Sequence, residues 1–265
     1  MKWSFRVVEA RYGKALSKSR LPGLDYALNP YVGCSHACIY CYARLYTKNK
    51  AVSGNWGEIV VVKKDLIDSL KREVRRYPKG TVGLGTITDG YQPIEAVYKL
   101  SRRSLELLLP HGFHVSIQTK NPLILRDAGL LADYNKLVDV GFTITTLDEE
   151  VSAIIEPNAP PPSARVRALR ALSEKGIPVW VFYGPIIPGL NSDHDTIRSL
   201  VELARELNAI LYYDVLHVKE FMKTPSHPLY SLLSRVYREQ YRIEETVLSE
   251  CRRQGVKCKP GFSPG

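Results

Sequence analysis

The sequence predicts an α/β fold built from parallel βαβ units. Strand-like runs rich in β-branched residues alternate with segments whose apolar residues recur at helical spacing. Glycine and proline are spread along the chain, so disorder is not indicated. With 265 residues, 45% of them apolar, the chain suits one α/β domain with a full core, or one domain with a short appendage.

In order, residues 27–30 read as the end of a strand entering a loop, and 37–46 as the helix after it. Residues 58–63 form a β-branched strand-like run. Over 66–76, Leu66, Ile67, Leu70 and Val74 fall at helical spacing. A strand over 81–87 precedes a helix over 94–109, and a strand over 114–118 precedes a helix over 123–131. Residues 138–145 are the next strand. The proline-rich stretch 157–162 links to a helix over 163–175, with Ser163 as N-cap and Gly176 as stop. A strand over 177–183, a helix over 193–207 and a strand over 210–215 complete the alternation. The count after Asn29 is close to six units, not eight. No repeats or low-complexity tracts occur.

The last segment differs in character. Tyr230, Tyr237 and Tyr241 share an expected helix with Arg235, Arg238 and Arg242, and Arg252, Arg253, Lys257 and Lys259 follow. Basic residues interleaved with tyrosines can track a phosphate backbone and stack bases. A helix that packs its tyrosines on the domain and leaves its charges in water gives the same pattern. The expected organisation is a core with an N-terminal lead-in over 1–220 and a C-terminal helical extension over 221–265.

Lys plus Arg number 37 against 27 Asp plus Glu, a net charge of +10. Polyanions such as DNA or RNA are therefore plausible partners, although a thermophile's surface is also rich in Arg and Lys. The N-terminal residues contain no uninterrupted apolar h-region, and no run of 18 apolar residues occurs, so a cytoplasmic protein with no membrane span is expected.

The chemistry concentrates in one loop. Cys34, Cys38 and Cys41 have the spacing C-x3-C-x2-C, with no fourth cysteine near them. They are too close for a disulfide framework and one ligand short of a closed structural metal site. A four-iron cluster normally takes four cysteines, so three suggest a cluster with one iron open to a non-protein ligand. Zinc on the three cysteines plus His36 is the alternative, although His36 is only two residues from both Cys34 and Cys38. As a non-ligand, His36 would be a loop or cluster-shielding residue.

That spacing, with Tyr40 just before the third cysteine and Tyr42 just after it, resembles the cluster loop of the radical S-adenosylmethionine (SAM) superfamily. The longer string from Asn29 to Arg44 resembles its spore-photoproduct-lyase-like branch, often labelled DNA repair photolyase-like. So do Thr88-Asp-Gly-Tyr-Gln-Pro-Ile-Glu95, Thr119-Lys-Asn-Pro-Leu-Ile-Leu-Arg-Asp127, Thr145-Thr-Leu-Asp148 with Glu156-Pro157, and Gly184-Pro-Ile-Ile-Pro-Gly-Leu-Asn191. The resemblance implies a partial (β/α)6 barrel of TIM type with functional residues at the C-terminal ends of the strands. It implies a [4Fe–4S] cluster on Cys34, Cys38 and Cys41, SAM on the fourth iron, and an electron donor such as ferredoxin or flavodoxin. The resulting 5′-deoxyadenosyl radical would take a hydrogen atom from a substrate, expected to be a nucleic acid or nucleotide-like. A peptide or small metabolite is the alternative, as is a non-catalytic iron–sulfur or zinc nucleic-acid-binding protein.

By the same resemblance, Thr88 and Asp89 lie near the SAM amino group, Lys120 approaches its carboxylate or ribose, and Thr145 lies near the ribose. Glu95 could serve the SAM ammonium or begin a helix. Tyr40 and Tyr42 could shield the cluster or stack near adenine. Tyr91 is expected to face the substrate as a hydrogen donor. Glu156 and Arg165 could pair to hold the linker, and Asn191 is a weaker candidate. One departure stands out: Ile87 occupies the place where spore photoproduct lyases of the best-known type carry the cysteine that returns a hydrogen atom. Cys251 and Cys258, spaced C-x6-C, are incidental, a disulfide, a redox pair or a second cluster site.

Overall fold

The computed structural model describes residues 4–261. Its strands are β1 (Arg6–Ala10), β2 (Leu16–Lys18), β3 (Tyr26–Leu28), β4 (Tyr31–Val32), β5 (Ile59–Lys63), β6 (Thr81–Leu84), β7 (His114–Thr119), β8 (Val138–Thr143), β9 (Val179–Ile186), β10 (Ile210–Val215) and β11 (Cys258–Pro260). Its helices are α1 (Ala43–Tyr46), α2 (Lys50–Gly54), α3 (Leu66–Glu73), α4 (Glu95–Tyr98), α5 (Leu100–Leu108), α6 (Ala128–Asp133), α7 (Glu149–Ile155), α8 (Pro162–Glu174), α9 (His194–Glu206) and α10 (Leu233–Gln254).

Eight strands form one sheet in the order β11-β10-β9-β8-β7-β6-β3-β2, and every neighbour pair is parallel except β2–β3. Leu24, beside one edge, and Gly261, beside the other, line a single cavity, so the sheet curls into the open barrel that the alternation anticipates. One register row runs through Leu28, Leu84, Ile117 and Val140, all fully buried or nearly so. Burying each such side chain contributes ~1.5–3 kcal/mol. The strands are not apolar on both faces, as fully packed parallel strands are. In β7 and β10 buried and half-buried residues alternate strictly. His114, Ser116, Gln118 and Tyr212 therefore point inward to the cavity.

Several boundaries differ from expectation for local reasons. The run 59–63 is not a barrel strand: β5 pairs with β1 and β4 in a separate sheet, and β3 supplies the sixth barrel strand. Residues 37–42 are turns, not helix; Ala37 has φ +55°, and the helix is only α1. The helix over 94–109 is two helices broken at Lys99, whose φ is +51°. The Glu95 carboxylate accepts from the Ser101 and Arg102 backbone N–H groups and so caps the second of them. The N-cap of α8 is Pro161 with proline following at N1, and the Ser163 hydroxyl donates to Glu149 at 2.6 Å instead. Gly176, at φ +72°, ends α8 as expected.

After β10, α10 packs against α9 and β10, and β11 joins the barrel sheet beside β10. Tyr237 and Tyr241 of α10 are exposed. A disulfide joins Cys251 near the end of α10 to Cys258 in β11. Among the described residues no helix is long and apolar enough to cross a membrane. Because the bridge fixes this edge strand to its helix, Cys258→Ser is expected to cost about 2 kcal/mol, a fall in Tm of roughly 5 °C. A thermal melt of both proteins measures it, and an unchanged Tm would show that the bridge does not stabilise the edge.

Candidate active site: the cysteine loop and its buried carboxylates

The free cysteines are Cys34, Cys38 and Cys41, in the loop between β4 and α1. Gly33 enters the loop at φ +88°, where a Cβ would collide with the Ile59 carbonyl and Val52. Gln92 clamps the entry. Its amide oxygen accepts from Ser35 N–H at 2.9 Å, and its amide nitrogen donates to the Gly33 carbonyl at 3.1 Å and to Thr88 Oγ1 at 2.9 Å. Further along, Ile39 N–H donates to the Ile155 carbonyl, and Asn158 N–H to that of His36. The C-terminal segment closes over the loop: His227 Nε2 lies 3.1 Å from the Ile39 carbonyl, and Arg44 sits 4.7 Å over the Phe221 ring. Burial pushes the Cys38 thiol up to about 11 and the Cys41 thiol up to about 12. A metal that takes such thiols as ligands must displace their protons, so its binding is coupled to pH.

Two buried carboxylates organise the surroundings. Asp89 accepts from Thr119 Oγ1 (2.7 Å), Tyr91 N–H (2.8 Å) and Lys120 N–H (2.8 Å), and pairs with His36 Nδ1 at 3.4 Å. Glu156 accepts from Tyr40 Oη, pairs with Arg165, and lies 3.7 Å from Lys120 Nζ. Lys120 also sits 5.7 Å from the Tyr40 ring centroid. Burial works against the Glu156 charge, but Arg165 and Lys120 outweigh it and its pKa is lowered. Arg165 also donates to the carbonyls of Pro160 and Thr143. Its Nη2, together with Thr145 Oγ1 and Ser35 Oγ, is buried without a protein partner.

The structure redistributes several expected roles. Asp89 is no free acceptor for a SAM ammonium, because four protein donors occupy the roughly four lone-pair positions of its carboxylate. Thr88 is likewise engaged, donating to the Gly33 carbonyl at 2.6 Å. Tyr91 does not face the barrel cavity: it is fully buried and donates to Asp127 at 3.1 Å, within a structural cluster that includes Arg102, Arg126 and Glu95. Glu95 takes the helix-start role and also accepts from Tyr31 Oη. Asn191 braces the strand ends, donating to the Thr145 carbonyl at 2.7 Å. Lys120, Tyr40, Glu156 and Arg165 do come together. Tyr42 stands apart from them, donating to the Thr86 carbonyl at 2.8 Å and lining the cavity.

Inside the barrel is a cavity of about 580 Å³. Its wall includes residues at strand starts (His114, Ile210), at or just past strand ends (Gln118, Thr86) and in mid-strand (Phe182). Asp139 and Trp180 on this wall carried no signal in the sequence. Gln92 lay inside a motif already noted, but only its contacts show its work.

Residues 28–204 match the radical SAM superfamily. The chain belongs to the radical SAM superfamily. An uncharacterized protein of Methanocaldococcus jannaschii is 32% identical over 92% of this chain and 88% of its own length. Uncharacterized proteins of Acidianus two-tailed virus and Mycobacterium tuberculosis are each 34% identical, over 69% and 66% of this chain and 62% and 54% of theirs. In fold, this radical SAM chain is similar to spore photoproduct lyase complexed with dinucleoside spore photoproduct. The TM-score is 0.72 at 15% identity, covering 95% of this chain and 81% of that one. A radical SAM methyltransferase from Sphaerobacter thermophilus aligns with a TM-score of 0.58 at 15% identity, covering 92% and 68%. Superfamily membership implies a [4Fe–4S] cluster and SAM, and one spore photoproduct lyase mutant structure holds AdoMet. The three free thiols in one loop and Arg165 Nη2, unpartnered beside Glu156, fit such a pair.

Removing one partner of a buried ion pair strands the others. Glu156→Ala leaves Arg165 and Lys120 without their carboxylate and is expected to destabilise the fold by about 3 kcal/mol or more. Denaturant unfolding of this variant beside Asp68→Ala, an exposed surface control, tests the point, and equal midpoints would refute it.

Proposed function

We propose that Cys34, Cys38 and Cys41 hold three irons of a [4Fe–4S] cluster, with SAM on the fourth, in an enzyme that acts on a nucleic acid or nucleotide-like substrate. That pair, when bound, supplies reductive cleavage of SAM to a 5′-deoxyadenosyl radical, which takes a hydrogen atom from substrate. The observation that carries the reading is the set of three free cysteines in one loop, together with Arg165 Nη2, which is buried without a protein partner although the guanidinium pairs with Glu156.

The chain's own residues then divide the work. Lys120, only partly neutralised by Glu156 at 3.7 Å, is the proposed contact for the SAM carboxylate or ribose. Thr145 is the proposed hydroxyl beside the ribose. Tyr40, fixed by Glu156, shields the cysteine loop, and Tyr42 offers its ring beside the cavity. Asp89 and Gln92 position the loop without touching the cofactor. The net charge of +10 supports a polyanionic substrate. Spore photoproduct repair itself is not proposed. Ile87 stands in place of the hydrogen-returning cysteine, and the Tyr91 hydroxyl is committed to Asp127.

Anaerobic reconstitution followed by reduction should yield 5′-deoxyadenosine, measured by chromatography. Cys38→Ala should abolish it, and Lys120→Ala should raise the KM for SAM about tenfold, a loss of about 1.4 kcal/mol. A wild-type, cluster-loaded protein that forms none would end this reading. Oligonucleotide binding should weaken steeply with salt, and salt-independent binding would return the peptide or metabolite alternative.

A further inference from the structure

We propose that the barrel interior is a recognition pocket for a nucleobase, and that the Asp139 carboxylate reads an N–H donor on the edge of that base. The inference rests on the nucleotide-like substrate proposed above and names the part of it that enters the barrel.

Barrel interiors are ordinarily packed by layers of branched aliphatic side chains. Here Ser116, Gln118, Asp139, Trp180 and Tyr212 occupy the wall of a cavity of about 580 Å³. That volume lies within the range of small-molecule sites. Asp139 accepts from Trp180 Nε1 at 2.6 Å and Ser116 Oγ at 2.7 Å through one oxygen, and pairs with His114 Nε2 at 2.7 Å through the other. Three of its roughly four acceptor positions are therefore used, and one is left for a ligand. The Asp139 side chain is 26% exposed, in contrast to the completely buried Glu156.

Trp180 is pinned on several sides. Its edge is held by Asp139, its ring lies so close over Gly141 that any Cβ there would collide with it, and the Tyr212 ring meets it edge-on at 5.3 Å. A rigid aromatic wall beside an oriented acceptor is the pairing by which proteins read bases, through stacking and edge hydrogen bonds. Among the described residues, no lysine or arginine lines the cavity. The one carboxylate on this wall, Asp139, repels a phosphate, and His114, the one basic side chain there, is already paired with it, so the base is the part of a nucleotide that suits the space.

The test uses oxidised, cluster-loaded protein saturated with SAM, titrated calorimetrically with the four deoxynucleosides. At least one is expected to bind saturably, and Asp139→Asn is expected to weaken it tenfold or more. Methylation of the base's donor nitrogen should weaken binding to wild type equally, with little further loss in Asp139→Asn. Absence of nucleoside binding to wild type overturns the proposal, as does indifference to methylation. The methylated ligand tests wild-type protein, so a misfolded variant does not rescue the idea. Failure of wild type to form 5′-deoxyadenosine would instead sink the proposed function and leave the binding result intact.

Discussion

The mouth of the barrel depends on one buried carboxylate. Asp89 draws four donors from three places: His36 in the cysteine loop, Thr119 and Lys120 at the end of β7, and Tyr91 in its own turn. An unpaired charge at that depth would cost many kcal/mol. Burial works against the Asp89 charge, but His36 and the backbone and hydroxyl donors outweigh it and hold its pKa at about 2. The loop bearing the cysteines has almost no regular hydrogen bonding of its own. It is shaped instead by what Asp89 and Gln92 hold, an electrostatic tie at His36 and a neutral clamp at Gly33 and Ser35.

The second carboxylate works differently. Glu156 meets two cations, Arg165 and Lys120, so this buried group carries a surplus positive charge. Such a surplus is unfavourable by itself. It is opposite in sign to the thiolates and the SAM carboxylate proposed to sit beside it, and so complements them. Asp89 is saturated and therefore structural, whereas the Glu156 network still has capacity, in Lys120 and in Arg165 Nη2. The distinction between a brace and a binding group thus follows from counting donors against acceptors.

Much of this was legible in the sequence. All six barrel strands read as strands, the first from its end at 27–30, although the 58–63 run counts among the units in its place, and the cysteine spacing identified the loop. The Thr119-Lys120 and Glu156 segments pointed to residues that do meet. Other features were out of reach for physical reasons. The 59–63 run reads as strand from its β-branched residues, but which sheet it joins depends on β1, a five-residue strand with no buried residue and no alternation to mark it. The break at Lys99 needs a left-handed backbone in a residue that gives no sign of it. Motif position alone could not show that the Asp89 oxygens and the Tyr91 hydroxyl would be spent on protein partners.

The barrel wall shows how one periodicity serves two ends. Along β7, Val115, Ile117 and Thr119 are buried on the helix side, and the residues between them turn inward. Were those inward positions aliphatic, the lumen would close into an ordinary packed core and gain apolar burial. Polar and aromatic residues there forgo that stabilisation. The loss is limited by hydrogen bonds among themselves, most of all those that converge on Asp139. A wall that only needed to stay wet would not require an indole fixed against a bare glycine backbone. The division that results is physical: surplus positive charge at the mouth, and a single acidic acceptor among aromatic rings within.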